Sequence, residues 1–400
     1  MALLAVDPHT VSIPLAMLIV FGAAKLFGEV LERLGQPGIV GEILAGAVVG
    51  PSMLGWIQPN EVLTALSELG VMFLLFRVGL EVKSSELMKV GGTAFVVALF
   101  GVLAPMAMGW GIMRAWGHPQ IESFFVGAAM VATSVGITAQ VLAAKGLLHL
   151  VSAKIILGAA VIDDILGLII LAIVSSAAQG QVNIAEISAT ALLAIGFTII
   201  VAKWGTRTMT RLVPHAESKL KSGEAQFNIA LVLLFALSVL AMYVGVAAII
   251  GAFLAGMALA ESVTDRVHDL AHGITELLVP FFLAGIGLHL DVTTFKDRDL
   301  LILALVILAS AVISKLIGCG LGAIHLGRTE MLRIGCGMVP RGEVGMVVAQ
   351  LGLSMAVIDK PVYSVVVFMA VATTLAAPAL LNLAYAGEKP KDIEEQFQLG

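Results

Sequence analysis

Apolar stretches of about twenty residues alternate with short polar joints along this chain, the length an α-helix needs to cross roughly 30 Å of hydrocarbon. Thirteen helical spans are predicted, at about 11–31, 38–56, 62–81, 91–114, 121–143, 152–177, 184–203, 225–242, 245–261, 270–289, 300–325, 331–354 and 361–384. The pattern continues to the last span and leaves only a short tail, 389–400, so no soluble domain is expected. The predicted fold class is an all-α membrane protein with thirteen transmembrane helices. The opening residues, MALLAVDPHT, lack the basic start and small-residue cleavage site of a signal peptide, so the first apolar stretch is expected to stay as a span.

Composition agrees with the pattern. The 400 residues are 59% hydrophobic and 13% charged, against roughly 25% charged in soluble domains, which excludes an ordinary soluble fold. Cys319 and Cys336 lie inside apolar stretches, where free thiols behave as small hydrophobes. A net charge of −5 without any long basic run argues against a nucleic-acid partner. With the N-terminus outside, fifteen of the 23 Lys and Arg fall on cytoplasmic joints and the tail. Four fall on external joints (Arg114, Lys296, Arg298, Lys360) and four within spans (Lys25, Arg77, Lys315, Arg341). The positive-inside rule then predicts a multi-pass protein of the cell (inner) membrane with its N-terminus outside and its C-terminus cytoplasmic.

The chain also resembles itself. GEILAG at 41–46 matches GAFLAG at 251–256, FLLFRVGL at 73–80 matches FFLAGIGL at 281–288, and VATSVG at 131–136 falls on PRGEVG at 340–345. The matches keep their order and link spans two, three and five to spans nine, ten and twelve. A displacement of seven helices reverses the direction of crossing, so an inverted-topology repeat is expected, with span seven as connector. Many secondary transporters share this design and place their substrate site near the midplane where the repeats meet.

An ionised side chain at a helix centre costs roughly 2.5 to 3.5 kcal/mol on insertion scales, so charges inside spans need partners or a water-filled cavity. Asp163 and Asp164 lie roughly 17 Å into span six at 1.5 Å per residue. Thr133 and Ser134 in span five, Arg341 and Glu343 in span twelve, and Lys315 in span eleven reach a similar level. Spans five and twelve interrupt their apolar runs at matched places, Thr133-Ser134-Val135-Gly136 and Pro340-Arg341-Gly342-Glu343-Val344-Gly345. Two broken, crossed helices would free backbone carbonyls for a cation and leave half-helix ends whose partial charges need compensation, a role expected of Glu343. Oxygen ligands of this kind suit hard cations such as sodium.

Adjacent helix positions point about 100° apart, so the two acids should differ in role. One carboxylate can bind a cation or a proton while the other pairs with Lys315, and competition for one carboxylate couples the two flows. The i,i+4 pairs Lys25–Glu29 and Arg77–Glu81 are expected to be structural. Of the eight histidines, His215, His268 and His272 are the ones placed for pH sensing.

These motifs resemble the bacterial sodium/proton antiporters of the monovalent cation:proton antiporter-2 group. GQPGIVGEILAG at 35–46, FLLFRVGLE at 73–81, VATSVGITAQVL at 131–142, GAAVIDDILGL at 158–168, Lys315 in SKLIG and PRGEVGMVVA at 340–349 carry the likeness. The resemblance implies a sodium/proton antiporter fold and a homodimer. It assigns 1–90 and 225–299 to scaffold and dimer helices, 91–183 and 300–388 to a moving core, and 184–224 to a linker. It further implies that Asp164 carries the sodium ion and the proton, that Asp163 pairs with Lys315, and that Thr133, Ser134, Glu343 and Arg341 support the site. Exchange is then electrogenic, with more than one proton per cation. Sodium ions, protons and the lipid bilayer are the expected partners, with no cofactor and no enzymatic step. Arg77 departs from the apolar residue usual in its motif. A potassium/proton antiporter or potassium efflux protein is the alternative, followed by an organic-anion symporter of the same fold.

Overall fold

Apolar segments without an internal Pro or polar cluster satisfy their backbone most cheaply as helix in hydrocarbon, and helix is what the chain forms. In the computed structural model the described residues are 12–34, 38–178, 184–217, 224–290, 295 and 297–388. They hold fifteen α-helices: α1 Ile13–Arg33, α2 Gly38–Val49, α3 Glu61–Leu80, α4 Ser84–Ala115, α5 Gln120–Val131, α6 Val135–Ala144, α7 Val151–Ala178, α8 Ile184–Glu217, α9 Ala225–Tyr243, α10 Ala248–Leu259, α11 Asp265–Leu288, α12 Arg298–Gly322, α13 Arg328–Gly337, α14 Gly342–Ser354 and α15 Lys360–Ala384. Among the described residues ten helical segments are long and apolar enough to cross a membrane.

The differences from expectation have local causes. The span expected at 38–56 is helical only to Val49, because Gly50 precedes Pro51 and the residue before a proline is driven out of the helical region. A turn with Gly55 at φ +64° follows. The span expected at 245–261 begins only after Gly245, which has φ +84°. The spans at 121–143 and 331–354 each come as two helices with a break between them.

Packing separates the helices into two groups. α1, α2, α3, α9, α10 and α11 pack on one another, as do α4, α5, α7 and α12 to α15, while α6 touches α3, α7 and α15 across the seam. α8 contacts α7, α9 and α10 and leaves Leu192 and Leu193 exposed. Such outward leucines, with Leu18, Leu26 and Val232 on other helices, form the apolar exterior a bilayer requires.

Glycines set how closely the first group packs. A Cβ at Gly46 would overlap the carbonyl oxygen of Ala284, and one at Gly287 would overlap that of Ile43. The same contacts recur between α3 and α10, Gly256 on the Phe76 carbonyl and Gly79 on that of Phe253. Position 46 maps to 256 and 43 to 253, a displacement of 210, while 76 maps to 284 and 79 to 287, a displacement of 208. Gly41 on the Phe27 carbonyl and Gly251 on the Leu237 carbonyl form a third such pair. Close backbone approach through small residues is the main way apolar helices associate in lipid.

Gly46→Ala should therefore destabilise the purified protein by about 1–3 kcal/mol through overpacking. Gly22→Ala, where a Cβ meets nothing within 4 Å, should leave the melting temperature unchanged or raised. Thermal unfolding of the two variants in detergent checks the contrast.

Candidate ion-binding site

The break between α5 and α6 falls where Thr133 and Ser134 compete with the backbone for helix hydrogen bonds. Ala132 (ψ 136°) and Ser134 (ψ 98°) are extended, whereas Val135 and Gly136, expected inside the interruption, are already helical. The second break spans Met338 to Arg341, where Pro340 supplies no amide hydrogen and drives Val339 out of the helical region. Gly342 and Glu343 lie in the first turn of α14 rather than in the break. The side chain of Glu343 lies outside the described residues.

Each break satisfies the other. The Ser134 amide donates to the Pro340 carbonyl at 2.8 Å, and the Thr138 hydroxyl donates to the Gly337 carbonyl at 2.6 Å. The Arg341 amide donates to the Thr373 hydroxyl at 3.2 Å. The fully buried Arg341 guanidinium donates to the Ala311 carbonyl at 2.8 Å and to the Met338 carbonyl at 3.4 Å. It thus sets a positive charge against the negative carbonyl end of α13. Compensation at this end comes from Arg341.

Asp163 and Asp164 sit midway along α7, and Lys315 in the second half of α12. The Lys315 ammonium donates to Asp163 Oδ1 at 2.9 Å, with both side chains at 0% exposure. Asp164 is also buried, at 9%. Arg341 stands close enough to Asp163 for their charges to act on one another. Asp163 Oδ2 and the buried Thr133 hydroxyl oxygen have no hydrogen-bond partner among the described residues. The core of the site is therefore a neutralised acid–lysine pair, a second buried acid next to it, and hydroxyl and carbonyl oxygens from two helix breaks. Among the described residues no group of three or more His, Cys, Asp or Glu could hold a metal ion.

One expected pairing is replaced. Lys25 reaches Glu42 on α2 at 3.1 Å and Glu276 on α11 at 3.9 Å, and Glu29 is taken by Arg33 at 2.7 Å. The acids of α2 and α11 lie on the face of α1 that packs inward, which i,i+4 spacing cannot reveal. Arg77 lines a cavity of about 200 Å³ with Lys25, Glu42, Gln140, His272 and Glu276. His268 bonds the Thr264 carbonyl at 3.3 Å and His272 lies 3.8 Å from Glu276, while the side chain of His215 lies outside the described residues. Thr138 and Thr373 were not singled out from sequence. Ser134 and Thr138 lie four apart and so share a helix face, the one signal that could have found Thr138.

Removing one member of a buried ion pair strands the other charge, at a cost of about 3–5 kcal/mol, whereas replacing both is often neutral. Lys315→Met and Asp163→Asn should each lower the melting temperature markedly, and the double variant should recover most of the loss. Equal, additive losses would contradict the pair.

A family model described as "Sodium/hydrogen exchanger, transmembrane" matches residues 16–383. The High-affinity Na(+)/H(+) antiporter NhaS3 of Synechocystis sp. is 34% identical, over 96% of this chain and 92% of its own. The Na(+)/H(+)-K(+) antiporter GerN of Bacillus cereus is also 34% identical, over 92% and 95%. The sodium proton antiporter MjNhaP1 of Methanocaldococcus jannaschii shares the fold at a TM-score of 0.71 and 16% identity, over 93% of this chain and 95% of that one. With the family match running from α1 to α15 and full-length relatives at this identity, the chain belongs to the transmembrane sodium/hydrogen exchanger family.

Proposed function

We propose that this protein exchanges sodium or lithium ions for protons across the cell membrane by alternating access, with Asp164 as the shared carrier. The observation that carries this reading is the 2.9 Å bond from Lys315 to Asp163. It neutralises one acid of the adjacent pair, so the two carboxylates differ, and Asp164 is the one assigned to take a cation or a proton in turn. The oxygens that the two breaks bring, from Thr133, Ser134 and backbone carbonyls, are hard donors of the kind a sodium ion at Asp164 would take. Sodium and protons are also the ions in the names of the relatives. Potassium is the second reading, since GerN's name includes it; an organic anion would be repelled by the paired acids.

Thirteen crossings follow if α5 with α6, and α13 with α14, each make one crossing and the short α2 and α10 complete theirs. The glycine contacts that recur at displacements of 210 and 208 support an inverted repeat. The two packing groups support a scaffold of α1 to α3 with α9 to α11, against which α4 to α7 and α12 to α15 move as a core. In this reading the scaffold also forms a homodimer, the N-terminus is outside and the C-terminus cytoplasmic. Exchange moves net charge, because Lys315 and Asp163 carry a proton besides the one lost at Asp164.

In proteoliposomes, sodium or lithium gradients should drive proton movement and potassium should drive far less. Asp164→Asn should abolish that movement while the protein keeps its melting temperature within a few degrees. Normal sodium-driven proton flux in this variant would remove Asp164 from the mechanism.

A further inference from the structure

Lys315 reaches Asp163 through a slot in α4 that exists because position 101 carries no side chain. A Cβ at Gly101 would stand 3.4 Å from the Lys315 ammonium nitrogen, 3.7 Å from its Cδ and 2.6 Å from the Cys319 sulfur. Lys315 and Cys319 are one turn apart on α12, and both are at 0% exposure. Two other glycines already bring the helices together: a Cβ at Gly318 would stand 2.7 Å from the Phe100 carbonyl oxygen, and one at Gly322 would stand 2.7 Å from the Val97 Cα.

The lysine stem therefore lies against bare α4 backbone, and its ammonium leaves the slot 2.9 Å from Asp163 on α7. α4 packs on both α12 and α7, so it forms the floor over which the pair is made. Pro105, one turn further along the same helix, has no amide hydrogen to give the Gly101 carbonyl. The Gly101 carbonyl thus lacks its usual intrahelical donor, which suits the surroundings of an ammonium with three N–H groups.

We infer that Gly101 is a positioning residue for exchange: its bare Cα sets where the Lys315 ammonium stands, and through that ammonium how firmly Asp163 is held. The inference deepens the proposed sodium/proton reading and rests on it. A methyl group at 101 lies against the ammonium at 3.4 Å and covers the side of it that now faces bare α4 backbone; it thereby loosens the ammonium's hold on Asp163 and leaves a tethered cation to compete with sodium for the oxygens of the site. A glycine that served only helix packing would have no such dependence on the lysine.

The test is a double-mutant cycle in a Cys319→Ala background, which removes the sulfur a methyl at 101 would strike and leaves the ammonium as its nearest neighbour. Gly101→Ala is compared with Lys315 present and with Lys315→Ala, reading apparent sodium KM, kcat and melting temperature. With the lysine present, the methyl should raise the sodium KM about fivefold, roughly 1 kcal/mol, change kcat less, and lower the melting temperature. With Lys315→Ala, these shifts should vanish. Equal shifts in both backgrounds would make Gly101 a packing glycine and overturn the inference. If the native protein shows no sodium-driven proton movement, the sodium reading has failed. The melting temperatures then decide the contact: a loss confined to the lysine-bearing variant upholds it, and an equal loss overturns it.

Discussion

A carboxylate and an ammonium, both without solvent exposure and 2.9 Å apart, are the interaction around which the rest of this structure is arranged. Either charge alone in the middle of a membrane is expensive, and together they still require their surroundings to keep water out and the geometry fixed. α7 supplies the acid, α12 the lysine, and α4 the surface over which they meet. The adjacent acid, Asp164, is held at the same depth by the same helix but faces a different direction. Adjacent positions on a helix point about 100° apart, so two chemically equal side chains come to have different surroundings.

The second constraint is the backbone at the two breaks. Interrupting a helix inside hydrocarbon leaves amides and carbonyls that water cannot reach. Here they are met by one another, by the hydroxyls of Thr138 and Thr373, and by the Arg341 guanidinium. The buried hydroxyl oxygen of Thr133 is not consumed in this way among the described residues. The glycine contacts of the other packing group do opposite work. They lock backbone to backbone and give a close-packed surface beside the helices that carry Asp163, Asp164 and Lys315.

Much of this was legible in the sequence. Asp163, Asp164, Lys315 and Arg341 stand out because charges inside twenty-residue apolar runs are rare, and the breaks stand out through Thr133-Ser134 and Pro340-Arg341. The likeness of GEILAG to GAFLAG pointed to the same glycines that now lie against carbonyl oxygens in matched pairs. Partners between helices were not legible. Lys25 has Glu29 four residues away, yet it bonds Glu42 and Glu276 because α2 and α11 pack on the inward face of α1. The charge at the end of α13 comes from Arg341, and the break there begins two residues earlier than the self-match of the chain suggested. Gly101 gave no signal at all, because a glycine among apolar residues is read as packing until a lysine is seen beside it.

In the proposed exchange, net charge moves because the Lys315–Asp163 pair gives up a proton when sodium binds, besides the one lost at Asp164. Net charge movement on a sodium concentration jump, recorded from proteoliposomes adsorbed to a sensor membrane, tests this most directly. The account predicts a transient current in the native protein, and its loss with sodium–proton exchange retained in Lys315→Gln. A native protein that exchanges sodium for protons without any net current would contradict it.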